Sequence, residues 1–179
     1  MKLLSSSLLL LLILSACSTA TQFNTVNIAD KYTLDIPDYL TKTDDLNDDA
    51  SLQYQNVIRE CYTIVIDESK QELYDVIAAS LELSEYPQSM EGYCALILHG
   101  MLDGGGMTDY KLEKNQTING LPAQFLSATL EVEGLQVFYK IAMIEGKKDF
   151  YQIMTWTLAS NAEKQEADMD AILRSFKEL

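Results

Sequence analysis

Apolar and polar residues alternate with a period of two in several parts of the chain, and this pattern predicts β-strands. The first such segments are YTLDIPDYL (32–40), LQYQN (52–56) and CYTIVID (61–67). The first is expected to end at Pro37, because proline cannot donate a hydrogen bond to a sheet. The third is apolar on both faces from Tyr62 to Ile66, which is typical of a strand that is covered on both sides.

The apolar spacing then changes to the helical period. Leu73, Val76, Ile77 and Leu81 predict one face of a first helix, which ends before Pro87. A second helix is predicted from the apolar residues Met90, Tyr93, Cys94, Ile97, Leu98 and Met101. The segment DGGGM (103–107) is expected to end it, since glycine accepts the left-handed conformation that often closes a helix.

The next fifty residues predict a meander of strands. Its turns are expected at Asn119-Gly120, at Glu133-Gly134 and between Glu145 and Lys148, and the first of these is a strong hairpin signal. In the last strand, DFYQIMTWTL, one face carries Phe150, Met154, Trp156 and Leu158, and the other carries Tyr151 and Ile153. Strands that are apolar on both faces imply a sheet with cover on both sides.

A final helix is predicted near the carboxyl end of the chain. Ser160 and Glu163 have the spacing of a capping box. The apolar stripe consists of Met169, Ile172, Leu173 and Phe176. This order of elements predicts an α+β fold in which an antiparallel sheet has helices on both faces, forming an α/β/α sandwich.

The chain resembles the PsbP-like and DcrB-like superfamily. The resemblance lies in the early strand that ends DIPDYL, the helical middle, the meander with FYQIMTWTL and the closing helix that ends ILRSF. It implies an α/β/α sandwich that mostly works without catalysis, in roles as different as photosystem subunits, envelope lipoproteins and chaperones of secreted effectors. Such diversity means that the fold alone does not determine the function.

The first residues have the plan of a signal peptide. Lys2 supplies a positive charge, Leu8 to Leu14 form an apolar run too short to span a bilayer, and small residues follow. Leu14-Ser15-Ala16-Cys17 resembles the lipobox of bacterial lipoproteins, which implies acylation of Cys17, with chains such as palmitate, and cleavage before it. The alternative is an ordinary secretory signal cut near Ala20.

The lipobox predicts three segments: a signal peptide (1–16), a lipidated tether (17–22) and one domain (23–179). Two or three acyl chains at Cys17 make a membrane attachment effectively permanent. Ser18, where an Asp would favour retention at the inner membrane, suggests the outer membrane, with the domain facing the periplasm. The expected partners are therefore the membrane itself and an unidentified protein of the bacterial envelope.

The net charge of −14, which becomes −15 without Lys2, disfavours nucleic acid as a partner because phosphate binding requires Lys and Arg. It favours solubility or a basic partner. Asp44, Asp45, Asp48 and Asp49 form an acidic loop that we expect to contact such a partner. The loop fails as an EF-hand, since Ala50 and Asn56 stand where Gly and Glu are required; a weak, irregular calcium site is the less favoured alternative.

The two remaining cysteines and the single histidine do not indicate a catalytic site. Cys61 and Cys94 can form a disulfide in an oxidising envelope or remain two buried free thiols. His99 is the single histidine, and on a helix it would point about 140° away from Cys94, so a nucleophile and base pair is disfavoured. We predict no catalytic residues, no metal and no cofactor, and therefore not an enzyme.

Two hypotheses for the function follow from these features. The first is a non-catalytic, membrane-anchored protein-interaction module. The second is a binding protein or chaperone for a lipid or a hydrophobic peptide, for which Met90, Met101 and Met107 would line an adaptable surface. The alternative for these methionines is that they fill gaps in the core.

Overall fold

The computed structural model describes residues 20–28 and 30–179, which form two antiparallel sheets and three α-helices. The strands are β1 (Phe23–Ile28), β2 (Tyr32–Pro37), β3 (Thr41–Lys42), β4 (Leu52–Asn56), β5 (Cys61–Ser69), β6 (Met107–Ile118), β7 (Leu121–Val132), β8 (Leu135–Glu145), β9 (Asp149–Leu158) and β10 (Lys177–Glu178). The helices are α1 (Lys70–Ala79), α2 (Met90–Asp103) and α3 (Ala162–Ser175). The α+β fold class is confirmed.

The main sheet has seven strands in the order β3-β4-β5-β9-β8-β7-β6. Its meander turns where expected: Asn119-Gly120 and Glu133-Gly134 all have positive φ, as the tight hairpin turns between right-twisted strands require. The strands β1 and β2 do not join this sheet. They form a second sheet in the order β1-β2-β10, in which Thr33 and Tyr32 pair with the carboxyl-terminal residues Lys177 and Glu178.

The main sheet is covered on both faces, and each face has its own apolar cluster. On one face, Tyr151, Ile153 and Phe176 pack with residues of β2 and α3. On the other, Phe150 packs with Tyr93 and other residues of α2, with ring centroids 4.4 Å apart. The alternation predicted for β9 is therefore confirmed, and each large apolar side chain that is fully buried stabilises the fold by about 1.5–3 kcal/mol.

Two details of the predicted helices are wrong. The chain leaves β9 through a 3-10 turn at Ala159–Asn161, so α3 begins at Ala162 and Ser160 does not cap it. The first helix ends at Ala79, before Leu81, and both Leu81 and Val76 are exposed. Its start is fixed instead by Ser69, whose hydroxyl accepts the backbone N–H of Glu72.

The two ends of the main sheet differ in what they carry. At the end that we call proximal lie Ala20, the β4–β5 turn (57–60) and the β7–β8 turn (133–134). At the opposite, distal end lie the β6–β7 turn (119–120) and the β8–β9 turn (146–148). Cys61 pairs with Thr157 and Ser69 with Asp149, so β5 separates the two ends by about 26 Å.

Candidate functional site

The predicted lipidation site, Cys17, lies outside the described residues, as do the predicted signal peptide and the first half of the tether (17–19). The described chain begins at Ala20, and the next two residues, Thr21 and Gln22, already form hydrogen bonds to the domain. Thr21 Oγ1 donates a hydrogen bond of 2.9 Å to Asp168 Oδ2 on α3, and the carbonyl of Gln22 accepts the N–H of Asp38. In the part of the chain that the structure describes, no helix has the length and apolarity needed to cross a membrane.

The acidic loop (43–51) connects β3 and β4 and is held by one buried side chain. The Gln53 amide, only 6% exposed, accepts the backbone N–H groups of Leu46 and Asn47 through Oε1. Its Nε2 donates to the carbonyl of Asn47 at 2.7 Å. Asn47 Oδ1 in turn accepts the N–H of Asp49. The loop therefore has a defined conformation that is built from amides.

The four aspartates of this loop are all exposed. Asp45 Oδ2 accepts a hydrogen bond from Thr43 Oγ1 at 3.2 Å. Among the described residues, the carboxylates of Asp44, Asp48 and Asp49 have no hydrogen-bond or ion-pair partner. Three carboxylates are thus presented to solvent by a backbone that does not depend on them.

Asp49 continues the negative surface into a cavity of about 540 Å³ between α1 and β5, which we call the acidic cavity. Its charged lining residues are Asp49, Asp67, Glu68 and Glu72, and its apolar ones are Ile66, Leu73 and Val76. Asp67 is paired with Lys31. The Oε2 atom of Glu68 is buried without a hydrogen bond of good geometry, but the buried Tyr93 hydroxyl interacts with this carboxylate, and burial together with the Glu68 charge raises the pKa of Tyr93. The four carboxylates that line this cavity favour a ligand that carries positive charge and hydrogen-bond donors.

The two cysteines do not form a disulfide in this structure. Both are buried free thiols, and they lie on opposite faces of the main sheet, since Cys61 belongs to the cluster with α3 and Cys94 to the cluster with α2. Burial raises the pKa of both thiols, that of Cys94 to about 12. Cys61 Sγ donates to Gln165 Oε1 at 3.7 Å.

The structure does not bring Cys94 and His99 together. Cys94 is 3% exposed and faces the sheet. His99 lies on the exposed side of α2, where its ring contacts the Tyr86 hydroxyl and lies 3.3 Å from an Asp103 carboxylate oxygen. Within residues 20–28 and 30–179, no group of three or more His, Cys, Asp or Glu side chains is placed to hold a metal ion.

The methionines proposed to line a surface pack in the core instead. Met90 is buried in the cluster between α2 and the sheet, and Met101 and Met107 are half-buried against the same cluster. The structure therefore favours the alternative in which they fill gaps.

One charged cluster was not found from the sequence. Lys140 is 8% exposed in the middle of β8, and its Nζ lies 2.6 Å from Asp170 Oδ1 and 3.0 Å from Glu166 Oε1, both on α3. We call these three residues the Lys140 cluster. A lysine within the otherwise apolar segment YKIAMI was the available signal, because a charge at a buried position requires a partner.

No protein-family model matches this chain, and no curated protein matches it in sequence. Similar solved structures show the fold. The cyanobacterial PsbP protein (CyanoP) of Synechocystis is 12% identical, with a TM-score of 0.53 over 93% of this chain and 99% of that one. PA94, a Pseudomonas aeruginosa protein of unknown function, is 16% identical, with a TM-score of 0.50 over 86% of this chain and 94% of that one.

A third similar structure is LpqN, which is involved in cell envelope biogenesis of Mycobacterium tuberculosis. It is 14% identical, with a TM-score of 0.45 over 89% of this chain and 92% of that one. The similarity to CyanoP shows that the fold of this chain is PsbP-like, as the sequence resemblance implied.

Proposed function

We propose that this chain is a lipoprotein of the bacterial envelope, acylated at Cys17, whose single domain (23–179) is a non-catalytic protein-interaction module. The lipobox supports the anchor, and Ser18 supports the outer membrane with the domain facing the periplasm. The acidic loop and the acidic cavity form the contact surface.

The observation that carries this proposal is the set of carboxylates that lack partners. Asp44, Asp48 and Asp49 are exposed on a loop that Gln53 fixes in place. Glu68 adds a carboxylate that has no cation among the described residues, beside the apolar side chains of Leu73 and Val76. A partner segment with basic and apolar side chains matches this surface in both respects.

The test is affinity capture of the lipidated protein from its native envelope, with quantitative identification of the proteins that accompany it. The test variant replaces Asp44, Asp45, Asp48 and Asp49 by Asn. The control variant removes the same charge elsewhere on the surface, through Glu82→Gln, Glu85→Gln, Asp109→Asn and Glu131→Gln. We expect a stoichiometric partner, released by salt, that the test variant loses and the control variant keeps.

Equal capture by both variants would reject the acidic loop as the contact surface. The anchor is tested separately, by the mass of the amino-terminal peptide of the purified protein. Acylation at Cys17 and release of a Cys17→Ser variant from the membrane fraction are the expected results. Cleavage near Ala20 without lipid would reject the anchor.

The acidic cavity also favours a second candidate function, the binding of a hydrophobic peptide or lipid. Its volume of about 540 Å³ is within the range of small-molecule sites. Ile66, Leu73 and Val76 provide its apolar lining. Native mass spectrometry of delipidated protein is expected to retain an apolar ligand in that case, and repeated absence of one would count against it.

A further inference from the structure

Exposed apolar side chains are concentrated at the proximal end of the main sheet. Of the nine large apolar residues that are exposed within residues 20–28 and 30–179, five lie there: Val57, Ile58, Leu102, Val132 and Leu135. The distal turns carry Asn119-Gly120 and Lys147-Lys148 in equivalent places. The two ends of the same sheet therefore expose side chains of different polarity and suit different environments.

The most exposed of these residues form the tip of the β4–β5 hairpin. Ile58 is 97% exposed and Val57 is 60% exposed, at positions where turns ordinarily place Gly, Pro, Asn, Asp or Ser. The turn itself is well fixed. Asn56 Oδ1 accepts the N–H of Arg59, Asn56 Nδ2 donates to the carbonyl of Tyr39 at 2.7 Å, and the Arg59 guanidinium lies 4.1 Å from the centre of the Tyr39 ring.

This hairpin tip lies beside the beginning of the described chain. Ala20, Thr21 and Gln22 line the same small cavity as Tyr39 and Arg59. Cys17 precedes Ala20 by three residues, so even a fully extended connection reaches only about 11 Å. A lipid on Cys17 therefore brings a bilayer surface to the proximal end of the domain.

We propose that the side chains of Val57 and Ile58 insert into the bilayer surface and orient the domain on the membrane. This inference rests on the proposed lipid anchor and adds a second contact to it. The acidic loop lies at the opposite end of β4, about 13 Å away, which exceeds the screening length of about 8 Å at physiological salt. Tip insertion thus turns the unpaired carboxylates away from the lipid and towards a partner.

The test places an environment-sensitive fluorophore on the tip of the full-length acylated protein through Ile58→Cys. Labelling is selective because Cys61 and Cys94 are buried and Cys17 carries lipid. The protein is reconstituted in phosphatidylcholine vesicles that contain phosphatidylcholine with a nitroxide high on its acyl chain. Lys148→Cys, which is exposed at the distal end, is the matched control, and Val57→Cys is a second tip variant.

We expect a blue-shifted emission and several-fold stronger nitroxide quenching at positions 58 and 57 than at position 148. A tip label that is quenched no more than the control, on protein shown by mass to be acylated and bound to vesicles, would overturn tip insertion and leave the anchor intact. Protection of the tip only in native envelope, where proteins are present, would also overturn it and assign the tip to a protein partner. Absence of acylation at Cys17 would overturn both the anchor and this inference.

Discussion

The Lys140 cluster and the acidic cavity both contain several carboxylates, but they differ in whether those carboxylates are paired with a cation. In the first, Glu166 and Asp170 share one nearly buried ammonium, and the neighbouring Asp168 accepts hydrogen bonds from Thr21 and Tyr39. In the second, among the described residues only Asp67 has a cation, and Glu68 has a buried oxygen with the neutral hydroxyl of Tyr93 as its neighbour.

The difference separates structural charge from charge that is available for binding. Carboxylates that are paired across elements fix α3 on the sheet, and their removal is expected to affect stability. Carboxylates without partners cost stability or are neutral in the free protein, and they gain a partner only in a complex.

The largest effect on stability is expected from Lys140→Met, which leaves Glu166 and Asp170 without a cation. We expect the free energy of unfolding to fall by about 2 kcal/mol, less than for a fully buried pair because both carboxylates are partly exposed. Urea unfolding followed by circular dichroism measures it. Lys148→Met, at an exposed turn, is the control, and an equal effect of both substitutions would mean that the ion pairs contribute nothing.

A smaller loss is expected from Gln53→Ala, which removes the three hydrogen bonds that hold the acidic loop. The free energy of unfolding should fall by about 1–2 kcal/mol. Capture of the partner should be lost although all four aspartates remain, because the loop no longer presents them together. Gln55→Ala, on the same strand, serves as the control; retained capture by Gln53→Ala would show that the loop conformation is unimportant.

The two regions also differ in how far the sequence could predict them. Periodicity and turn dipeptides were sufficient for the meander and for both faces of β9. The acidic loop was also predicted from the sequence, because its four aspartates are neighbours in the chain. The Lys140 cluster joins residues 26 and 30 positions apart, so the lysine in YKIAMI indicates that a partner is needed but not which one; the second sheet joins β2 to β10 and leaves no local signal.

One wrong prediction and one question that the sequence left open depend on the same kind of information. Ser160 has the spacing of a helix cap, but a 3-10 turn after β9 shifts the start of α3 to Ala162. For Cys61 and Cys94 the sequence left a disulfide and two free thiols open, because nothing in the spacing shows that the sheet lies between them. In both cases the deciding fact is the path of the chain in three dimensions.

A gain in stability is expected from Glu68→Gln, because the substitution removes the charge of a carboxylate that has a buried Oε2 atom and no cation among the described residues, while the amide oxygen can still accept from the Tyr93 hydroxyl. The free energy of unfolding should rise by about 1 kcal/mol. Glu72→Gln, which alters an exposed carboxylate of the same cavity, should change stability by only a few tenths of a kcal/mol. Destabilisation by Glu68→Gln would mean that the charged oxygen has a stabilising contact, and the contrast with the Lys140 cluster would disappear.

The smallest effect is expected when Asp44, Asp45, Asp48 and Asp49 are all replaced by Asn. These carboxylates are exposed, and the loop is held by Gln53, so the free energy of unfolding should change by no more than about 0.5 kcal/mol. Any change should be a gain at low salt that disappears at high salt, because like charges on the loop repel one another and salt screens them. Thermal unfolding at two salt concentrations, with and without Ca²⁺, measures this.

A Ca²⁺-dependent rise in the melting temperature of the unsubstituted protein, absent in the variant, would mean that these aspartates have a structural role. Without such a rise, loss of partner capture by a variant of unchanged stability assigns the loop to binding.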